Sequence, residues 1–161
     1  MSMPPMGRGE NDRRTPPDLF SQYDRKYNFT LDAAASHENT LCDRYCTLDG
    51  SYHRDLVGRW KVADTDGLST DWGALSAVWV NPPYGRGLLA PFIIKAHGEA
   101  TENGVTVVML LPVRTEQPWF HDIVWPDVLS RRARIDWVRG RLKFSDLGAA
   151  PFPSMVVVWN G

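Results

Sequence analysis

The sequence is short of cysteine, of net charge and of long apolar runs, and each shortage excludes something. Two cysteines cannot make a disulfide framework. Against 19 acidic side chains stand 18 basic ones, for a formal net charge of -1. That balance excludes a histone-like or polybasic binder, although one local basic face remains compatible with it. The longest apolar run, Val105 to Val113, is interrupted by Thr106 and Pro112 and is too short to span a bilayer. No charged-then-apolar leader opens the sequence. The expectation is a soluble, cytoplasmic protein with no membrane partner.

What is present is a 161-residue chain with 43% hydrophobic residues, sufficient for one sizeable core. Residues 1–14 hold three Met, two Pro, two Gly and three Arg without apolar periodicity, and read as a disordered arm. A single domain is expected over 15–161. Thr15 looks like an N-cap ahead of Pro16 and Pro17, with Leu19, Phe20, Tyr23 and Tyr27 at helical spacing up to Asn28. Phe29 to Ala35 reads as a short strand entering a turn of small residues, and Ser36 to Asp71 as a polar, irregular stretch.

Ala77-Val78-Trp79-Val80 reads as a buried strand that must leave its sheet at the prolines after Asn81. A helix is expected over Leu88 to Thr101, stopped by Asn103-Gly104, and a second buried strand over Val105 to Leu111. Thr115 to Trp125 reads as a helix with Pro118 near its start. Arg134 to Val138, Leu142 to Phe144 and Met155 to Trp159 read as strands. Alternating strands and helices predict an α/β fold with a mainly parallel sheet, closed by a C-terminal antiparallel hairpin.

The tetrapeptide Asn81-Pro82-Pro83-Tyr84 carries the chemical signal. Following a strand, it projects where ligands bind in parallel sheets. Two prolines stiffen the backbone and leave their carbonyls free to accept, Asn81 adds a side-chain acceptor, and Tyr84 adds a flat ring. Such a set suits a planar group bearing an NH₂, such as a nucleobase amine. The plain alternative is an ordinary turn leaving a strand.

Asn-Pro-Pro-Tyr after an apolar strand resembles the catalytic motif of amino-directed DNA methyltransferases. Further blocks resemble the phage-type Dam-like adenine-N6 methyltransferases in the same order. They are Thr15-Pro16-Pro17 with Leu19-Phe20, Leu31-Asp32-Ala33-Ala34-Ala35, and Asp66-Gly67-Leu68 with Trp72. Leu110 to Thr115 with Trp119-Phe120-His121, Arg139 to Phe144, and Ala150 to Ser154 complete the series. The resemblance implies a Rossmann-like methyltransferase fold and direct methyl transfer from S-adenosylmethionine to adenine N6 in DNA. It implies that Asn81 and the Pro82 carbonyl accept from the amine, with Pro83 stiffening the loop and Tyr84 stacking on a flipped base. It implies cofactor contacts at Thr15, Pro16, Pro17, Asp32, Ala33, Ala34, Asp66, Gly67 and Leu68. Where the wider class carries a Phe-x-Gly-x-Gly loop, this chain has alanines.

Arg131, Arg132, Arg134, Arg139, Arg141 and Lys143 place six cations in thirteen residues, opposed only by Asp136. DNA contact is expected from Arg114, Arg139, Arg141 and Lys143; a solvated charged face is the plain alternative. His37, Cys42, Cys46 and His53 depart from zinc-ligand spacing and read as buried thiols and surface histidines, so no metal is expected. RNA, protein glutamine or cytosine N4 as acceptor, or a non-catalytic nucleic-acid-binding module, remain alternatives. Only 48 residues separate Asp32 from Asn81 and 77 follow Tyr84. Neither interval holds a large recognition domain, which predicts a short or relaxed target site. The sequence leaves the oligomeric state undetermined.

Overall fold

The computed structural model describes residues 13–47, 53–54, 60–64, 66–144 and 148–161, the side chains of 53–54 and 60–64 excepted. Helix α1 spans Pro17–Tyr27 and strand β1 Leu31–Ala35. Strands β2 (Arg44–Thr47), β3 (His53–Arg54), β4 (Trp60–Asp64) and β5 (Ala77–Val80) follow. Then come α2 (Leu89–Asn103), β6 (Thr106–Pro112), α3 (Trp125–Leu129), β7 (Ala133–Trp137) and β8 (Ser154–Trp159).

The sheet order is β3-β4-β2-β1-β5-β6-β8-β7. Strands β4, β2, β1, β5 and β6 run parallel, while β8 is antiparallel to both β6 and β7. Strand β7 therefore points the same way as β6. The chain winds outward from β1 through β2, then returns to add β5 on the other side. That reversal makes β1 and β5 a topological switch point, and their carboxyl ends form the crevice where such sheets take ligands.

Two layers cover the sheet. On one face Phe20 and Tyr23 of α1 pack with Phe29 around Trp79, the Phe20 ring meeting Trp79 edge-on at 5.4 Å. On the other, α2 buries Leu89, Phe92, Ile93 and Ala96. There the Asp127 carboxylate of α3 accepts from Trp159 Nε1 at 2.9 Å and meets His97 Nδ1 at 2.6 Å. One buried carboxylate thus ties α2, α3 and β8 together. Met155 to Trp159 are fully buried, and each large side chain withdrawn from water contributes about 1.5–3 kcal/mol. Among the described residues no helix is long and apolar enough to cross a membrane.

Four expectations need correction. Ser36 to Asp71 is not irregular throughout, because β2 to β4 lie within it; these short strands are held by pairing with distant neighbours. Leu142 to Phe144 forms only a single bridge, Lys143 to Ala149; its apolar signal comes from Phe144, buried against Tyr84 and Phe152. The helix expected over Thr115 to Trp125 starts only at Pro118 and is not regular, passing through a π-turn, Phe120–Val124, into α3. Pro126 lacks an N–H for the regular ladder, and the Trp125 N–H reaches back to the Phe120 carbonyl. Finally, Pro16 occupies the N-cap position of α1 and no side chain caps the helix, so the Thr15 hydroxyl is free for other work. Of the arm expected over 1–14, residues 1–12 lie outside the described set, whereas Arg13 and Arg14 line the crevice.

Candidate active site

Strand β5 ends at Val80, and the next four residues turn across the switch point. Asn81 Nδ2 donates to the Arg13 carbonyl at 2.7 Å and to Thr15 Oγ1 at 3.1 Å. The Tyr84 hydroxyl sits 3.1 Å from both Asn81 Oδ1 and the Leu110 carbonyl. One proton cannot serve both acceptors at once, so the hydroxyl has two alternative partners. Burial pushes the Tyr84 pKa far above its ordinary value, with Arg13 and Arg114 pulling weakly the other way. The phenol stays protonated, and it acts only as a donor to these oxygens.

Tyr84 is buried, with Phe152 edge-on at 5.6 Å and Phe144 at 6.4 Å. The Arg13 guanidinium lies over this aromatic wall, 4.8 Å from the Phe152 centroid and 5.5 Å from that of Phe144. Its Nε is buried and meets no acceptor among the described residues. A planar cation is held there by ring faces rather than by hydrogen bonds.

Asp32 lies two residues into β1 and is 3% exposed. The Leu41 N–H donates to its Oδ2 at 3.2 Å, while Oδ1 meets no donor among the described residues. Desolvation raises the carboxyl to about 6, opposed by the Leu41 and Ala34 amides, the latter without reaching hydrogen-bond geometry at Oδ1. Arg13, Arg14, Thr15, Asp32, Ala34, Asn39 and Asn81 enclose a cavity of about 30 Å³. A wider cleft of about 380 Å³ adjoins it, lined by Thr15, Pro16, Pro17, Leu41 and Lys143 among others.

The other predicted residues divide. Asp66 turns its carboxylate inward: Oδ1 accepts from the Leu68 and Ser69 amides and Oδ2 from the Ser69 hydroxyl, which lowers its pKa. Gly67 is required by close approach. A Cβ there would stand 1.9 Å from the Ala33 carbonyl oxygen, so the Asp66–Leu68 turn presses directly on β1. Arg114 donates to the Tyr84 carbonyl at 3.2 Å and lines a third opening with Tyr84, Arg86 and Gln117. Asp66, Leu68, Arg139 and Arg141 line none of these three spaces.

The six-cation run is not one face. Arg131 and Arg132 precede β7 whereas Arg139, Arg141 and Lys143 follow it, which puts them at opposite ends of the strand. Arg134 instead pairs with Asp136 (Nε to Oδ1, 3.2 Å), and that carboxylate also accepts from Tyr23 of α1. As for the His/Cys group, His37 Nδ1 bonds the Tyr45 hydroxyl, Cys46 is buried, and the His53 side chain lies outside the described residues. Among the described residues no group of three or more His, Cys, Asp or Glu is gathered around a metal-sized space.

Sequence reasoning missed Arg13 as a site residue, and Asn39 and Arg86 altogether. Arg86 had one available signal: it stands between two glycines immediately after the motif.

An open α/β sheet with its reversal at β1/β5, an antiparallel strand set between β6 and β7, and an Asn-Pro-Pro-Tyr loop at the crevice defines the Rossmann-like methyltransferase class. The chain belongs to the DNA N-6-adenine-methyltransferase (Dam) family, whose profile matches residues 8–160. It is similar to the DNA N-6-adenine-methyltransferase of Escherichia phage T1, at 29% identity over 129 residues, covering 80% of this chain and 44% of that protein. It is also similar to the protein of that name from Haemophilus phage HP1 (strain HP1c1), at 30% over 108 residues, covering 66% and 52%. The chain thus spans about half the length of the curated relatives it matches.

Proposed function

We propose that this chain methylates adenine N6 in DNA, with S-adenosylmethionine as donor, inside the host cell of a phage or prophage. The observation that carries this reading is the meeting of Asn81 and Asp32 on one cavity at the switch point. A buried carboxylate oxygen without a donor fits a cation, and the methionine end of S-adenosylmethionine carries an ammonium. Asp32 and Thr15 would hold that end, while Ala33 and Ala34 keep the strand end slim. When bound, S-adenosylmethionine supplies an electrophilic methyl group on a sulfonium.

The chain's own residues then orient the amine. Asn81 Oδ1 and the Pro82 carbonyl would accept hydrogen bonds from its two N–H groups, which leaves the nitrogen lone pair aimed at the methyl. As the N–C bond forms the S–C bond breaks, and the nitrogen then gives up one of its protons to water. The Tyr84 hydroxyl releases Asn81 Oδ1 by turning to the Leu110 carbonyl, an equal distance away, so no buried hydroxyl is left unmet. Tyr84, Phe144 and Phe152 make the aromatic wall for the base. Because the Arg13 guanidinium lies on that wall and its carbonyl holds the Asn81 amide, base entry requires Arg13 to move aside.

Tritium transfer from labelled S-adenosylmethionine to unmethylated DNA, followed by nucleoside chromatography, tests the reading. Label in N6-methyldeoxyadenosine supports it. Label only in N4-methyldeoxycytidine, or transfer only to RNA or protein, overturns it.

A further inference from the structure

Beside the catalytic loop, on the β6 side, lies an open groove of about 450 Å³ between the segment after Tyr84, the start of α2 and the loop after β6. That volume is within the ~300–1,000 Å³ range of sites for single small molecules. Leu89, Ala90 and Trp119 give it an apolar floor, and Arg86, Arg114 and Gln117 a polar rim. Arg86 is exposed and has no ion pair among the described residues. Arg114 is anchored by one N–H on the Tyr84 carbonyl, which leaves most of its fork of donors unspent. The nearby acid, Glu116, is engaged by the Gln117 amide at 3.1 Å. Two guanidiniums therefore face one carboxylate, and the rim carries net positive charge. Gly87 has φ +77°, with nothing within 4 Å of where a Cβ would stand. The loop beside Arg86 is thus bare on its outer side, and another backbone can approach it.

We propose that this groove takes the nucleotide adjoining the target base in the substrate strand, its phosphate between Arg86 and Arg114 and its base on the Leu89, Ala90 and Trp119 floor. The proposal rests on the methyl-transfer reading, and it adds a subsite and a DNA contact, Arg86. Tyr84 bounds both the groove and the aromatic wall, so a base held at Asn81 brings its own flanking phosphates to the groove mouth. An apolar floor with a cationic rim matches the two parts of a nucleotide, a ring to cover and a charge to neutralise.

Fluorescence anisotropy of a labelled adenine-containing oligonucleotide across a salt series tests this with the full chain. For Arg86→Ala the slope of log affinity against log salt should fall by about 1, with affinity at low salt reduced roughly tenfold. Arg86→Lys should restore most of the slope, and calorimetric affinity for S-adenosylmethionine should stay at the wild-type value in both variants. An unchanged slope and affinity in Arg86→Ala would overturn the groove while leaving the methyl-transfer reading intact. Wild-type protein that binds S-adenosylmethionine but no DNA would overturn both.

Discussion

On the β1 side of the crevice, a cavity of about 30 Å³ is closed by Asp32, Thr15, Asn39 and the arginines that precede α1. On the β6 side, a groove of about 450 Å³ lies open, with arginines on its rim and a glycine facing solvent. The first is small, with Arg13 and Arg14 beside Asp32, whose Oδ1 meets no donor among the described residues. The second is wide and basic. Asn81 and Tyr84 sit between them. The contrast teaches that size and openness, more than charge, divide the two sides: each sets two arginines beside one acid, but the first has room only for a small group and the second for a whole ring and its phosphate.

Each expected outcome can break or sharpen that division. The largest effect belongs to the residue that lines the small cavity and carries the proposed chemistry. Asn81→Ala should lower methyl transfer on the order of a thousandfold, with affinity for S-adenosylmethionine within a few fold by calorimetry. Intact turnover would remove Asn81 from the chemistry. Next is Gly67→Ala, in which the new Cβ meets a β1 carbonyl oxygen and the turn is forced off the strand. A cost of ~3 kcal/mol is expected, equivalent to a fall of about 6–12 °C in melting temperature. An unchanged melting curve would show that the β1 side is looser than the structure has it.

Asp32→Asn isolates the β1 side. The folded-state pKa of Asp32 is about 6, above the ordinary 3.8, so between those values the folded protein binds more protons than the unfolded chain. This group therefore stabilises the fold most at low pH, and up to about 3 kcal/mol is lost as pH rises from roughly 4 to 6. Denaturant melts across that window should show the slope in wild type and its loss in Asp32→Asn. The same variant should weaken S-adenosylmethionine about tenfold at pH 7.5 and leave oligonucleotide affinity alone. An equal loss in DNA binding would dissolve the division of labour. The smallest effect is expected for Tyr84→Phe, which removes a hydroxyl with two alternative acceptors and should cost ~1 kcal/mol of stability. Turnover should fall only a few fold, and a collapse of kcat would give the phenol a larger part than orienting Asn81.

How far the sequence could be read depended on where each signal originates. Ala77 to Val80 was legible to the residue, because an apolar run stopped by prolines has few other meanings, and the matching Val105 run made the pair. The strand-end position of Asn81 followed from that, but that this end lies at the switch point shows only in the strand order. Strands β2 and β4 were not legible, since a segment such as Arg44-Tyr45-Cys46-Thr47 becomes a strand only through partners far along the chain. Thr15 looked like a helix cap from its neighbours, and only the folded chain shows its hydroxyl accepting from Asn81, 66 residues away. The arginine run misled for a related reason: linear spacing cannot show that β7 divides it, or that Asp136 and Tyr23 take Arg134 out of it. Asp66 was expected at the cofactor from the family resemblance, whereas the structure has both of its oxygens in hydrogen bonds on its own turn, which no linear spacing displays.

The placement of β8 sets an order of events during synthesis. Strand β7 is made before β8 but, among the described residues, hydrogen-bonds to no other strand, and β6 shows a bare edge until β8 arrives to join them. A nascent chain that has finished Trp137 therefore holds its last strand in reserve. It also exposes the fully apolar edge Val107 to Leu111 while the next residues are being added. Deleting Ser154 to Trp159 would not trim an end. It would leave β7 without its partner and β6 with one edge bare, and such an edge can pair with copies of itself.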